Sequence, residues 1–154
     1  MFDDFTAVAS TRINAPAEVV WDALLNPEAN KQFMFGATVI SDWHEGRPIK
    51  WKGVWQGKAY EDNGIILRLK PLKLLQYSHY SPLSGKPDSP ENYHTVTIEL
   101  TEENHSTTVA ITQDKSESRE ARVHSEENWT SMLAALKKLV ESVEASRAGS
   151  AAHP

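Results

Sequence analysis

Apolar and polar positions change period twice along this chain. Phe5, Ala7, Ala9, Thr11 and Ile13 alternate with more polar neighbours, which predicts a first strand. The period then lengthens. Val20, Trp21, Leu24 and Leu25 make one stripe of a helix that begins near Pro16, with Asn14 or Ala15 at the cap and Glu18 near the positive end of its dipole. Asn26-Pro27 ends that helix, and a second short one is expected from Glu28 to about Phe33.

From Gly36 the period is two. Strands are expected at Thr38 to Trp43, Ile49 to Trp55, Ala59 to Leu69, Leu74 to Tyr80, Thr95 to Leu100 and Thr107 to Gln113. Glu45-Gly46-Arg47-Pro48, Gln56-Gly57 and Glu102-Glu103-Asn104-His105 read as turns, and a bulge is expected at Asn63-Gly64. The Ser81 to Pro90 loop carries three prolines and one glycine. From Glu117 to Val143 the period lengthens again. Trp129, Met132, Leu133, Leu136, Leu139, Val140 and Val143 form one helical stripe, with lysines and glutamates opposite.

Sequential strands joined by short turns make an antiparallel sheet. A single long helix after them has no partner helix of its own length and must lie across that sheet. The expected class is α+β: seven antiparallel strands curved around a long C-terminal helix, with two short helices after the first strand. No linker or repeat divides the 154 residues, so one domain is expected over 1–145, followed by a small, polar, flexible tail over 146–154.

Composition narrows the function. Sixteen Lys and Arg against 21 Asp and Glu give a net charge of −5, which argues against nucleic acid and anionic membrane surfaces as partners. The absence of cysteine excludes disulfides, thiolate nucleophiles and Cys-ligated metal. No apolar run approaches the length of a membrane span, and the first ten residues lack the basic start and apolar run of a secretory signal. A cytoplasmic protein is expected.

Four pieces of the chain resemble one superfamily. They are Ile13 to Leu24 with Pro16, Val20 and Trp21; Gly64-Ile65-Ile66 with Pro71 and Leu74 downstream; Val96-Thr97-Ile98-Glu99-Leu100 followed by Thr107-Thr108-Val109; and Trp129 with Leu133 and Leu136. In order and spacing they resemble the SRPBCC or START-like helix-grip superfamily. Within it they resemble the branch named after the activator of heat-shock-protein ATPase. Asn128 departs from the glycine that often precedes the helical tryptophan there. The resemblance implies a cavity between the sheet and the last helix, made small by the short second strand. It carries no catalytic signature, because the superfamily spans lipid carriers, cyclases, resistance proteins and chaperone stimulators.

Two sets of residues could line that cavity. Trp51 and Trp55 share a strand face, and Trp129, Met132, Leu133 and Leu136 project from the helix towards it. They could form an apolar box, or serve only as core. The second set follows from hairpin symmetry. Closure about Ser81 to Asn92 pairs His79 with His94, Tyr77 with Val96 and Leu75 with Ile98. The alternation of Val96, Ile98 and Leu100 marks that face as inward. His79 and His94 then stand near the open end and Tyr77 deeper, where they could orient a polar head or move a proton. A register slip of one residue would turn both histidines outward. Asp42-x-His44-Glu45 lacks a third ligand, and Glu61-Asp62-Asn63-Gly64 lacks EF-hand spacing, so both read as turns and no metal or cofactor is expected. The leading expectation is a binding protein for a hydrophobic small molecule, with no assigned catalytic residue. The alternatives are a cyclase- or hydrolase-like enzyme using His79, His94 or Tyr77, and a chaperone-interacting stimulator of ATPase activity. Edge strands leave a homodimer open.

Overall fold

A computed structural model describes residues 5–152. It contains seven strands, three α-helices and two short 3-10 turns. The strands are β1 (Ala7–Ile13), β2 (Thr38–Ser41), β3 (Pro48–Trp55), β4 (Lys58–Lys70), β5 (Leu74–His79), β6 (His94–Glu103) and β7 (Ser106–Gln113). They form one antiparallel sheet in the order β1-β7-β6-β5-β4-β3-β2. Helices α1 (Ala17–Leu25) and α2 (Pro27–Phe33) follow β1, and α3 (Arg119–Ala152) closes the chain. The expected α+β arrangement is therefore the observed one. Among the described residues no helix is long and apolar enough to cross a membrane.

The core lies between the inner sheet face and the helices. Ile13, Val20, Phe33, Ile49, Ile66, Val96, Ile111, Leu133, Leu136 and Val140 are almost wholly removed from solvent. One inner row runs across four strands, from Ala7 through Gln113 and Val96 to Tyr77. The β5–β6 register is the one expected from symmetry, with His79 opposite His94, Tyr77 opposite Val96 and Leu75 opposite Ile98.

Several local expectations are corrected. Pro16, not Asn14 or Ala15, occupies the cap position of α1 and offers no side-chain acceptor. The Ala17 N–H instead donates to Glu102 Oε1 of β6 at 2.6 Å, so a distant strand caps the helix. Asn26 both ends α1 and caps α2, accepting from the Glu28 and Ala29 N–H groups at 2.8 and 3.1 Å. Behind it, buried Asn30 donates from Nδ2 to the carbonyls of Leu24 at 3.0 Å and Asn26 at 2.8 Å, which satisfies carbonyls left open at the end of α1. The bulge of β4 lies between Ile66 and Arg68, not at Asn63-Gly64. Strand β2 stops at Ser41, because Trp43 turns to a left-handed φ of 58°. The last helix starts at Arg119, where Ser118 accepts from the Ala121 N–H. It continues to Ala152, past Val143 and through most of the expected tail; residues 153–154 lie outside the described residues.

One face of α3 also runs along β1, an edge strand. Glu126 accepts from the Val8 N–H at 2.9 Å, Glu141 accepts from the Asn14 N–H at 2.9 Å, and Lys137 donates to the Arg12 carbonyl at 2.6 Å. Residues 126 and 137 are eleven apart, three helical turns, and so share a face. Lys137 also bonds Glu141 at 2.7 Å. That ammonium, and then the Asn14 N–H, hold the Glu141 carboxyl below its ordinary 4.5. A lowered folded-state value stabilises the fold above the ordinary carboxylate range, and the contribution is lost as pH falls through the folded value. Glu141→Gln is accordingly expected to unfold with a shallower loss of stability below about pH 4.5, read from urea midpoints across acid pH. An unchanged acid slope would remove this role.

Candidate functional site

A recess of about 490 Å³ opens at one end of the sheet, between the β3–β7 inner face and the start of α3. Its inner wall is Trp51, Tyr77, Val96 and Trp129. The recess exists because the first turns of α3 present small side chains there. Ala121 and Ser125, four apart, line it, and Trp129, four further on, forms its inner wall above the core residues Met132, Leu133 and Leu136. Trp51 and Tyr77 pack with ring centroids 4.9 Å apart, and Trp51 meets the edge of His79 at 4.9 Å. Behind this layer lies a space of about 20 Å³, bordered by Phe33 and Met132, room for about one water.

The expected wall is corrected in three respects. Trp55 is 56% exposed and lines nothing in the recess. It has the inward parity of Trp51, but it pairs with Lys58 at the tip of the β3–β4 hairpin, beyond the helical cover. Leu133 and Leu136 are buried core residues below the recess, and Met132 reaches only the small inner void. Trp51, Tyr77, His79, His94, Val96 and Trp129 are brought together around the recess.

The polar groups are more ordered than the sequence suggested. His79 Nε2 lies 2.9 Å from Asp62 Oδ2. Asp62 stands opposite Trp51 across the β3–β4 ladder, so it faces inward. Its other oxygen, Oδ1, is buried with no hydrogen-bond partner. His94 Nδ1 lies 2.8 Å from the Asp114 carbonyl oxygen, and the Asp114 carboxylate accepts from the Thr95 N–H at 2.6 Å. Trp129 Nε1 donates to Gln113 Oε1 at 2.8 Å, which fixes the indole against the sheet. Burial pushes the Tyr77 phenol above its ordinary value, so it stays a neutral donor. Tyr60, folded over Gly53, is also raised, first by burial and then by the Asp62 charge.

The mouth is built by the loop after β5. Ser81 caps the turn Pro82–Ser84, and Tyr80 donates to the Lys86 carbonyl at 2.5 Å. The Tyr93 hydroxyl donates to Asp88 Oδ1 at 2.6 Å, and that bond pushes its value up to about 12. Lys86 pairs with Glu117, tying the loop to the segment before α3. Phe35, held at φ 55° and 68% exposed, stands on the opposite lip. The Asp42, His44 and Glu45 turn is solvated, with Arg47 bonding Asp42 at 2.9 Å. Among the described residues no three His, Asp or Glu side chains converge on a metal position.

Sequence reasoning missed Asp62, Tyr60, Gln113 and Ser125. Two of these were within reach. A two-residue turn at Gln56-Gly57 places residue 62 opposite 51, and one at Asn104-His105 places 113 opposite 96, as observed.

Residues 14–141 match the family described as activator of Hsp90 ATPase homolog 1-like protein. No curated protein is detectably similar to the chain. Among solved structures, ChR145 from Cytophaga hutchinsonii is 54% identical, with a TM-score of 0.80 over 94% of this chain and 99% of that one. NE0264 from Nitrosomonas europaea shares the fold at 18% identity, with a TM-score of 0.74 over 94% and 99% of the two chains. The Aha1 dimer from Colwellia psychrerythraea shares it at 19% identity, with a TM-score of 0.69 over 88% and 96%. Sequence and fold agree on one placement: this chain belongs to the activator of Hsp90 ATPase homolog 1-like family.

Proposed function

We propose that this protein binds a small molecule in the recess between the β3–β7 face and the start of α3. The observation that supports this reading is the recess itself. Its volume of about 490 Å³ is within the range of ligand sites, and it combines an aromatic wall with a few convergent polar groups. Trp51, Tyr77, Val96 and Trp129 would take the apolar body of the ligand, and His79, His94 and Asp62 its polar head. The space behind Trp51 and Tyr77 holds about one water, which favours a compact ligand over a long acyl chain. Trp51 and Trp129 make the reading testable. Titration with a panel of compact amphipathic aromatic compounds is expected to quench tryptophan fluorescence saturably, and Trp129→Phe to reduce the signal. A panel that quenches nothing saturably would overturn the reading.

A second reading is favoured by the Asp62–His79 bond. A carboxylate that orients an imidazole beside a ligand is the arrangement of an acid–base catalyst. On this reading His79 transfers a proton to or from the bound molecule. With a turned-over ligand in hand, His79→Phe is expected to lower kcat by about 100-fold or more. Unchanged turnover would remove the role.

A further inference from the structure

We infer that the recess selects ligands whose head donates hydrogen bonds, such as phenols and other hydroxyl compounds, and discriminates against carboxylates. This rests on the small-molecule reading above and adds the chemistry of the head group. The two histidines carry the argument. They are directly paired across β5 and β6 and both line the recess. Each neutral imidazole has one N–H and one lone pair, and a hydrogen-bonding partner decides which nitrogen holds the proton. On His79 the Asp62 carboxylate can only accept, so Nε2 carries the proton and Nδ1 is left as an acceptor. On His94 the Asp114 carbonyl can only accept, so Nδ1 carries the proton and Nε2 is left as an acceptor. Neither remaining nitrogen has a protein partner among the described residues.

The surrounding charge points the same way. Asp62 supplies a negative charge beside His79, with one oxygen unpartnered. The recess lining carries three carboxylates, Asp62, Glu91 and Glu117, against two ammonium groups, Lys86 and Lys115, and Lys86 pairs with Glu117. A ligand carboxylate placed between the two histidines would therefore meet two lone pairs and a like charge. A hydroxyl would meet acceptors it can satisfy, while its ring lies on Trp51 and Tyr77.

The test uses two probes with one ring system, 2-naphthol and 2-naphthoate, titrated into isotope-labelled protein at about pH 8, above the ordinary histidine range. Naphthol is expected to bind about tenfold or more tightly than naphthoate, the value of one or two neutral hydrogen bonds plus the repulsion avoided. Its chemical-shift changes should centre on Tyr77, His79 and His94. Asp62→Asn is expected to raise naphthoate affinity, and His94→Phe, which keeps ring volume, to shrink the naphthol advantage severalfold. Naphthoate binding as tightly as naphthol at these residues would overturn the selectivity while leaving the binding reading intact. Shifts centred elsewhere, or no binding of either probe, would overturn the binding reading and this inference with it.

Discussion

Gly64→Ala is expected to be the most damaging single substitution in the sheet. Strands β4 and β5 approach so closely at this point that an added Cβ would fall on the Ser78 carbonyl group, 2.6 Å from its carbon and 3.3 Å from the His79 nitrogen. Both neighbours are backbone, so no side chain can swing aside. The strands must part, which strains the isolated bridge between Asn63 and Tyr80 and moves His79 away from Asp62. A cost of about 3 kcal/mol is expected from overpacking without relief. Urea denaturation would measure it, and the His79 imidazole resonances would report the shift at the recess. Wild-type stability in this variant would mean that the two strands are not held in this approach.

Leu136→Ala is expected to have an effect of similar size by the opposite route. Leu136 is fully buried in the middle of α3, among Met132, Leu133 and Val140 on the same stripe. Truncation removes buried methyl groups and leaves a void that the sheet behind cannot fill. The expected loss is about 3 kcal/mol, within the range for buried leucines. Ser131→Ala, on the exposed face of the same helix, is the control and should change stability by less than about 0.5 kcal/mol. Equal midpoints for the two variants would show that α3 is not anchored through this stripe.

The fold was legible because its signals were local and periodic. Alternation at Val96, Ile98 and Leu100 marked the inner face of β6, and symmetry about the loop then placed Tyr77 and His79 on the same side. The helix stripe from Met132 to Val140 was equally plain. What escaped were features set by where one element ends relative to another. Trp55 has the right parity but lies past the edge of the helical layer, and parity alone carries no information about cover. Leu133 and Leu136 have the right face but sit too deep, since the sequence does not show how far Trp51, Tyr77 and Trp129 fill the interior. Asp62 was hidden differently. Next to Asn63-Gly64 it reads as part of a turn, yet β4 runs straight through from Lys58. The close approach at Gly64, where no side chain fits, is the reason for a glycine in mid-strand. The cap of α1 by Glu102 could not be read locally, because the two residues are 85 apart in the chain.

The bonds from Glu126 and Lys137 to the backbone of β1, and from Glu141 to Asn14 just past it, have a consequence for strand pairing. A sheet edge is a template on which another chain can add by strand pairing, and a sheet with two free edges can be extended at both. Here the β1 edge is occupied by its own helix at Val8 and Arg12, and at Asn14 just past the strand's end. That leaves the four-residue edge of β2, Thr38–Ser41. A molecule with one usable edge can join a single partner about a two-fold axis and then has nothing left to offer a third. A further strand therefore finds backbone groups to pair with at β2 and not at β1, where three side chains of α3 already hold them.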